Sequence, residues 1–292
     1  MLVFAALLFG CLQPQAPAQS AGGKPIVVVT AYFLEDFAKG VAGDRADVVN
    51  LLPDGANLHS FEPGPRDLET VYSARVFVYN GAGLEAYTPQ IAASIPQSVI
   101  TVEASSGVKL DQAQDAAHGP FDPHVWLDPV LAKQEVGAIK NALAQADPKN
   151  ADYYDKNAKA YSEKLDSLNA EIANRISKFS KKEYVGFHPA FSYFNKRYGL
   201  KYAAVIEEFA GDEPSAKEMA NIVDVARQTG INTVFAEPNL DPRAAYSIAQ
   251  EINGTVLLLQ PMETLSPQER ADGKDYFALM RENVETLARV LS

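Results

Sequence analysis

Three of the four histidines in this chain stand just past short apolar segments that look like β-strands. They are His59, His124 and His188, and prolines lie close to all three. Imidazole is a common ligand of transition metals, and α/β sheets place their binding sites at the ends of strands. The prolines beside His124 and His188 restrict the backbone, which lowers the entropy cost of presenting a ligand. This pattern predicts a transition-metal site built from distant parts of the chain.

A carboxylate occupies a fourth position of the same kind. Glu263 comes soon after the last strand-like segment, in Leu259-Gln260-Pro261-Met262-Glu263. If two lobes face each other, the carboxyl ends of their strands meet across the cleft. Two side chains from each lobe would then enclose one ion.

The elements that must position these residues alternate between strand and helix. Apolar β-branched runs predict eight strands, at 25–30, 46–51, 75–79, 98–102, 183–187, 202–206, 233–236 and 255–259. Gly81 to Ala93 is expected to form a helix, Asp128-Pro129 to begin another, and residues 148–179 to form one long helix. We therefore predict an α/β fold with two lobes, each a four-stranded parallel sheet flanked by helices, joined by one long rigid helix.

The predicted boundaries follow from these elements. They are an N-terminal lobe at 24–147, a connecting helix at 148–180 and a C-terminal lobe at 181–292, preceded by a signal peptide and tether at 1–23.

The leader ends at the single cysteine. Residues 2–10 are apolar but too few to span a bilayer, which needs about 20 residues. Leu8-Phe9-Gly10-Cys11 resembles a bacterial lipobox, which implies lipid attachment to Cys11 and an extracytoplasmic place, in a periplasm or at a cell surface. One cysteine excludes an internal disulfide framework. A net charge of −11 without a basic cluster argues against a nucleic-acid partner.

Several motifs in order resemble the metal receptors of ABC importers, the ZnuA and TroA group. They are Asn57-Leu58-His59-Ser60-Phe61-Glu62-Pro63, Asp122-Pro123-His124-Val125-Trp126-Leu127-Asp128-Pro129, Phe187-His188-Pro189-Ala190-Phe191-Ser192-Tyr193-Phe194, Gly211-Asp212-Glu213-Pro214-Ser215 and Phe235-Ala236-Glu237-Pro238. The resemblance implies a monomeric receptor with a divalent ion between its lobes, which delivers that ion to an ABC permease and its ATPase. It places the ligands at His59, His124, His188 and Glu263.

The fourth ligand position departs from the family pattern, because the family more usually has Asp where Glu263 stands. Glu237 is the alternative ligand, and its other possible role is to orient an imidazole from behind. Position favours Glu263. Three imidazoles and one carboxylate suit tetrahedral zinc, whereas manganese prefers more oxygen ligands. Zinc is therefore the predicted cargo, with manganese or iron as the alternative.

Two other classes of protein compete with a receptor as interpretations of the sequence. A zinc hydrolase needs an open coordination position and a general base, and the sequence has no H-E-x-x-H pattern. A surface adhesin that uses the metal as a structural staple stays open. His118, in a short acidic segment where this group often carries a His-rich loop, is interpreted as an exposed non-ligand.

Overall fold

The computed structural model describes residues 23–113, 119–207, 210–211 and 213–292. The predicted leader up to residue 22, with Cys11, and the predicted non-ligand His118 lie outside these ranges. None of the helices described combines the length and the apolar character that a membrane span requires.

The first half of the chain forms a four-stranded parallel sheet in the order β2-β1-β3-β4. Its strands are β1 (Ile26–Val29), β2 (Asp47–Asn50), β3 (Val76–Tyr79) and β4 (Ile100–Glu103). Its helices are α1 (Tyr32–Ala42), α2 (Pro65–Ser73), α3 (Thr88–Ala92) and α4 (Pro129–Ala146). The three valines of the central strand β1, Val27 to Val29, are buried, as parallel strands covered on both faces require.

The second half repeats this topology, with strands in the order β6-β5-β7-β8. The strands are β5 (Glu183–Gly186), β6 (Lys201–Val205), β7 (Thr233–Ala236) and β8 (Thr255–Leu258). The helices are α6 (Ser192–Tyr198), α7 (Ala216–Thr229), α8 (Arg243–Glu251), α9 (Pro267–Ala271) and α10 (Tyr276–Leu291). In both sheets the strand order reverses beside the first strand, which is the point where open α/β sheets bind ligands. The predicted fold class is confirmed.

The long helix α5 (Ala151–Ile176) lies between the two halves in the chain. Its 26 residues span about 39 Å. One buried stripe repeats at three- and four-residue steps, at Tyr154, Ala158, Tyr161, Leu165, Leu168, Ile172 and Ile176. The stripe packs on α1 and α4 from the first half and on α10 from the second. The helix is shorter than the predicted 148–179, because Pro148–Asn150 forms a separate 3-10 turn at one end and the helix ends at Ile176 at the other.

The predicted helix from Gly81 to Ala93 is wrong over most of its length, since only Thr88–Ala92 is helical. Gly81, Ala82 and Gly83 all have positive φ angles (84°, 54° and 89°), which an α-helix cannot contain. The Glu85 carboxylate accepts the Gly81 N–H at 3.1 Å and stabilises this turn.

The short helices α6 and α9 were not predicted. Aromatic residues of modest helix propensity make up much of α6, and its Tyr193 and Phe194 are buried. Packing rather than local propensity therefore stabilises this helix.

The largest hydrophobic core includes residues of both halves. It joins Phe33 of α1 and Trp126, whose rings stack at 3.9 Å, to Met262 and Tyr276 from the C-terminal end of the chain. A separate cluster lies between the second sheet and helices α7 and α8. The segment after β8 therefore packs into the same core as the first sheet.

Candidate metal centre

His59 lies in a 3-10 turn, Leu58–Ser60, in the connection after β2. The side-chain oxygen of Asn57 accepts the backbone N–H of His59 at 2.9 Å, which caps this turn. The imidazole is 1% exposed. The turn thus holds the ring in a buried position.

His124 is held by the residue two positions before it. Asp122 Oδ1 accepts the backbone N–H of His124 at 3.0 Å and lies 2.7 Å from ring Nδ1. The intervening Pro123 carbonyl accepts a hydrogen bond from Asn80 Nδ2 at 3.1 Å. A carboxylate on Nδ1 favours the tautomer whose Nε2 lone pair is free for a metal.

His188 follows β5 and is arranged in the same way. Its Nδ1 lies 2.5 Å from Oε1 of Glu237, which follows the neighbouring strand β7. Its Nε2 lies 3.3 Å from Nε2 of His124. Glu237 therefore contacts the outer nitrogen of this imidazole, and the inner nitrogen faces the other histidines.

Glu263 lies in the loop after β8. Its Oε1 is 3.0 Å from His59 Nε2 and 3.9 Å from His124 Nε2. The preceding residue, Met262, is fully buried with a φ of 65°. Such a conformation is rare for a residue with a side chain, so tertiary contacts must hold this loop.

These four side chains each offer one ligand atom, and all four atoms lie within 4.8 Å of one another. Ligands at 2.0–2.1 Å from a tetrahedral ion are about 3.3 Å apart. Three separations are close to this value. Glu263 Oε1 lies 3.0 Å from His59 Nε2 and 3.9 Å from His124 Nε2, and the Nε2 atoms of His124 and His188 are 3.3 Å apart. The cluster has the size of a single-ion site.

The electrostatics of the cluster also suit a cation. Burial would raise the pKa of Glu263, but the positive charges and hydrogen bonding of the histidines, His59 first, lower it to about 2. Burial would lower the pKa of His188, but the charge of Glu237 raises it to about 9. Both shifts show that buried charges here are balanced by opposite charges, a task that a dication can perform.

The structure brings together the four residues that the sequence singled out, His59, His124, His188 and Glu263. Glu237 lies behind one of the rings rather than among the inner nitrogens. Sequence reasoning missed the contact of Asp122 with His124. The available signal was the triplet Asp122-Pro123-His124, because a carboxylate two residues before a histidine can reach its ring.

Comparison with known proteins places this architecture in a family. The family described as "ZnuA: Zinc-uptake complex component A periplasmic" matches residues 27–290. The high-affinity zinc uptake system protein ZnuA of Bacillus subtilis is 34% identical over 282 residues, covering 92% of this chain and 88% of that protein. The zinc-binding protein AdcA of Streptococcus pyogenes is 30% identical, and the match covers 98% of this chain but only 60% of AdcA.

A solved structure agrees in fold. The Zn(II)-bound ZnuA-like domain of Streptococcus pneumoniae AdcA superimposes with a TM-score of 0.81 and 31% identity, covering 92% of this chain and 99% of that domain. The family is a solute-binding component of zinc uptake systems and not a family of enzymes. The chain has two similar lobes with a histidine cluster, and it matches the family across nearly all of the residues that the structure describes. This protein therefore belongs to the ZnuA family of zinc-uptake receptors.

Proposed function

We propose that this protein captures one zinc ion outside the cytoplasm with His59, His124, His188 and Glu263 and delivers it to an ABC permease. The observation that carries the proposal is the convergence of four ligand atoms within 4.8 Å. Two of the rings have a carboxylate on the outer nitrogen, as metal-binding histidines commonly do. Four protein ligands close the coordination sphere, which suits storage and transfer rather than hydrolysis.

The donor set supports zinc over manganese. Three nitrogens and one oxygen at tetrahedral spacing are typical zinc ligands, whereas manganese prefers more oxygen ligands in octahedral sites. The Zn(II)-bound relative supports the same choice.

Glu263 rather than Glu237 is the proposed fourth ligand. The Glu263 carboxylate lies beside two Nε2 atoms, those of His59 and His124. Glu237 instead accepts the Nδ1 proton of His188, and we assign it the role of orienting that ring.

Lipid attachment at Cys11 is part of the same proposal. The lipobox-like sequence Leu8-Phe9-Gly10-Cys11 supports it, as does the name of a relative, the zinc-binding lipoprotein AdcA of Streptococcus pneumoniae. The receptor would act as a monomer tethered near its permease. A Cys11→Ser variant should be absent from the membrane fraction of the cells. Finding it in that fraction would contradict lipid attachment at Cys11.

Calorimetry on residues 24–292, first stripped of metal with a chelator, tests the site. The protein should bind one zinc ion, and His124→Ala should weaken binding by more than about 100-fold, since loss of a mere orienting partner already costs 10–100-fold. His118→Ala is the matched control and should bind as the parent does. Unchanged affinity in His124→Ala would show that the assignment is wrong, and a preference for manganese in competition would overturn zinc as cargo.

A further inference from the structure

The loop that carries Glu263 follows the last strand of the second sheet but is attached to the first lobe. The Tyr32 N–H donates to the Glu263 carbonyl at 2.8 Å, and the Gly55 N–H donates to the Leu265 carbonyl at 2.8 Å. The indole N–H of Trp126 donates to the Pro261 carbonyl at 2.6 Å. These three donors belong to the first half of the chain, so the position of Glu263 depends on contacts between the lobes.

Arg270, in α9 at the far end of this loop, makes the charged part of the attachment. Its terminal nitrogens donate to both carboxylate oxygens of Glu35 at 2.9 and 3.0 Å. The same guanidinium donates to Asp54 at 2.7 and 3.0 Å and lies over the Tyr32 ring at 5.4 Å. One arginine thus joins α9 to α1 and to the loop after β2.

This bridge differs from an ordinary surface ion pair. The Glu35 side chain is only 7% exposed, and Arg270 is 35% exposed. Bidentate pairs with partial burial are stronger and more directional than exposed ones. Asp54 lies next to Gly55, whose N–H donates to two atoms of the Glu263 loop, the Leu265 carbonyl at 2.8 Å and Thr264 Oγ1 at 3.0 Å. The bridge and the backbone contacts therefore act on the same short segment.

We propose that Arg270 is a positioning residue for zinc binding, which fixes the Glu263 loop to the first lobe so that the carboxylate is held beside His59. This inference rests on the proposed function, because it takes Glu263 as a ligand. A loop already ordered before the ion arrives loses less conformational entropy on binding, so its ligand contributes more to affinity. The positive φ of Met262 fits a loop whose shape is imposed by such contacts.

The test compares two arginines that each form a bidentate bridge. Arg270→Gln removes the proposed attachment. Arg281→Gln removes a pair with Glu171 (2.8 and 3.2 Å) that joins α10 to α5, away from the site. Zinc affinity is measured by calorimetry, the stability of the metal-free protein by urea unfolding, and the site geometry by the visible spectrum of bound Co²⁺.

Arg270→Gln should weaken zinc binding about 10–100-fold, the usual cost of losing a group that orients a ligand, and should weaken the tetrahedral Co²⁺ bands. Arg281→Gln should bind zinc as the parent does. Arg270→Lys should recover part of the affinity, because lysine keeps the charge but cannot bridge both carboxylates. Equal affinities in Arg270→Gln and the parent, or equal losses in both Gln variants, would overturn the proposal.

Asp54→Asn provides a milder change at a partly exposed position, should Arg270→Gln fold poorly. It should lower zinc affinity in the same direction by a smaller factor, and an unchanged affinity would count against Arg270. His124→Ala distinguishes a wrong metal site from a wrong role for Arg270. If His124→Ala binds zinc normally, the proposed site itself is wrong. If His124→Ala loses zinc but the Arg270 and Asp54 variants bind it as the parent does, only the positioning role of Arg270 is wrong.

Discussion

A buried glutamate in α4 gives a prediction that does not depend on zinc. Glu135 has no exposed surface, and neither of its carboxyl oxygens has a hydrogen-bond partner among the residues that the structure describes. Burial, and then the nearby charge of Glu85, raise the pKa of Glu135 well above its ordinary value of 4.5. The folded protein therefore holds Glu135 as a neutral acid at pH values where the unfolded chain ionises it.

This difference in protonation makes the stability of the folded protein depend on pH. Above pH 4.5 and up to its folded-state pKa, the folded state carries one more proton at Glu135 than the unfolded state. The free energy of unfolding then falls by about 1.4 kcal/mol per pH unit from this group. Glu135→Gln removes the titration, so its stability relative to the parent should rise with pH, by as much as about 2.7 kcal/mol between pH 5 and pH 7.

Urea unfolding of the metal-free proteins at pH 5, 6 and 7 measures this difference. Glu135→Leu should show the same slope plus a constant gain, because an apolar side chain suits the buried position. Glu171→Gln is the control: a hydrogen bond from Arg281 lowers the pKa of Glu171 below its ordinary value of 4.5, so this carboxylate is ionised in both the folded and the unfolded state between pH 5 and pH 7, and the difference in stability from the parent should stay nearly constant. A difference between Glu135→Gln and the parent that stays constant with pH, or shrinks as pH rises, would refute the reasoning.

Two further predictions concern His188 and its partner. Glu237→Gln keeps an acceptor for the Nδ1 proton of His188 but removes the negative charge. Zinc affinity should therefore fall about 10–100-fold in a chelator competition assay. An unchanged affinity would show that the Glu237 carboxylate does not support the His188 ring. His188→Asp should shift the preference from zinc toward manganese, because an oxygen ligand replaces a nitrogen; an unaltered ratio in metal competition would count against the donor argument.

Much of the fold could be predicted because its signals are local. Asp128 caps α4 through a 2.9 Å hydrogen bond from the Val130 N–H, and Pro129 occupies the first helical position, as the sequence indicated. Ser215 and Glu218 form a capping box at the start of α7, and its pattern is visible in the sequence Ser215-Ala216-Lys217-Glu218. His188 and Glu263 could be found for the same reason, since each lies a few residues past an apolar strand, and His59 and His124 lie in the longer connections after β2 and β4.

The contacts that tune the site could not be predicted, because they join residues far apart in the chain. Arg270 and Glu35 are separated by 235 positions, and Trp126 and Pro261 by 135. Nothing local marks Arg270 as different from the exposed Arg281. The docking of the Glu263 loop on the first lobe follows only from the packing of both halves into one core.

The charges around the cluster explain why its buried residues form a stable arrangement. Asp122 contacts His124, Glu237 contacts His188, and Glu263 lies beside His59 and His124, so three carboxylates are buried around three rings. Buried carboxylates need nearby positive charge. Without a metal, a proton on His188 supplies part of this charge, because the carboxylate of Glu237 raises the pKa of His188 to about 9. A zinc ion bound to the inner nitrogens supplies positive charge in place of such a proton, so zinc and protons compete for one site and zinc affinity must fall as pH falls.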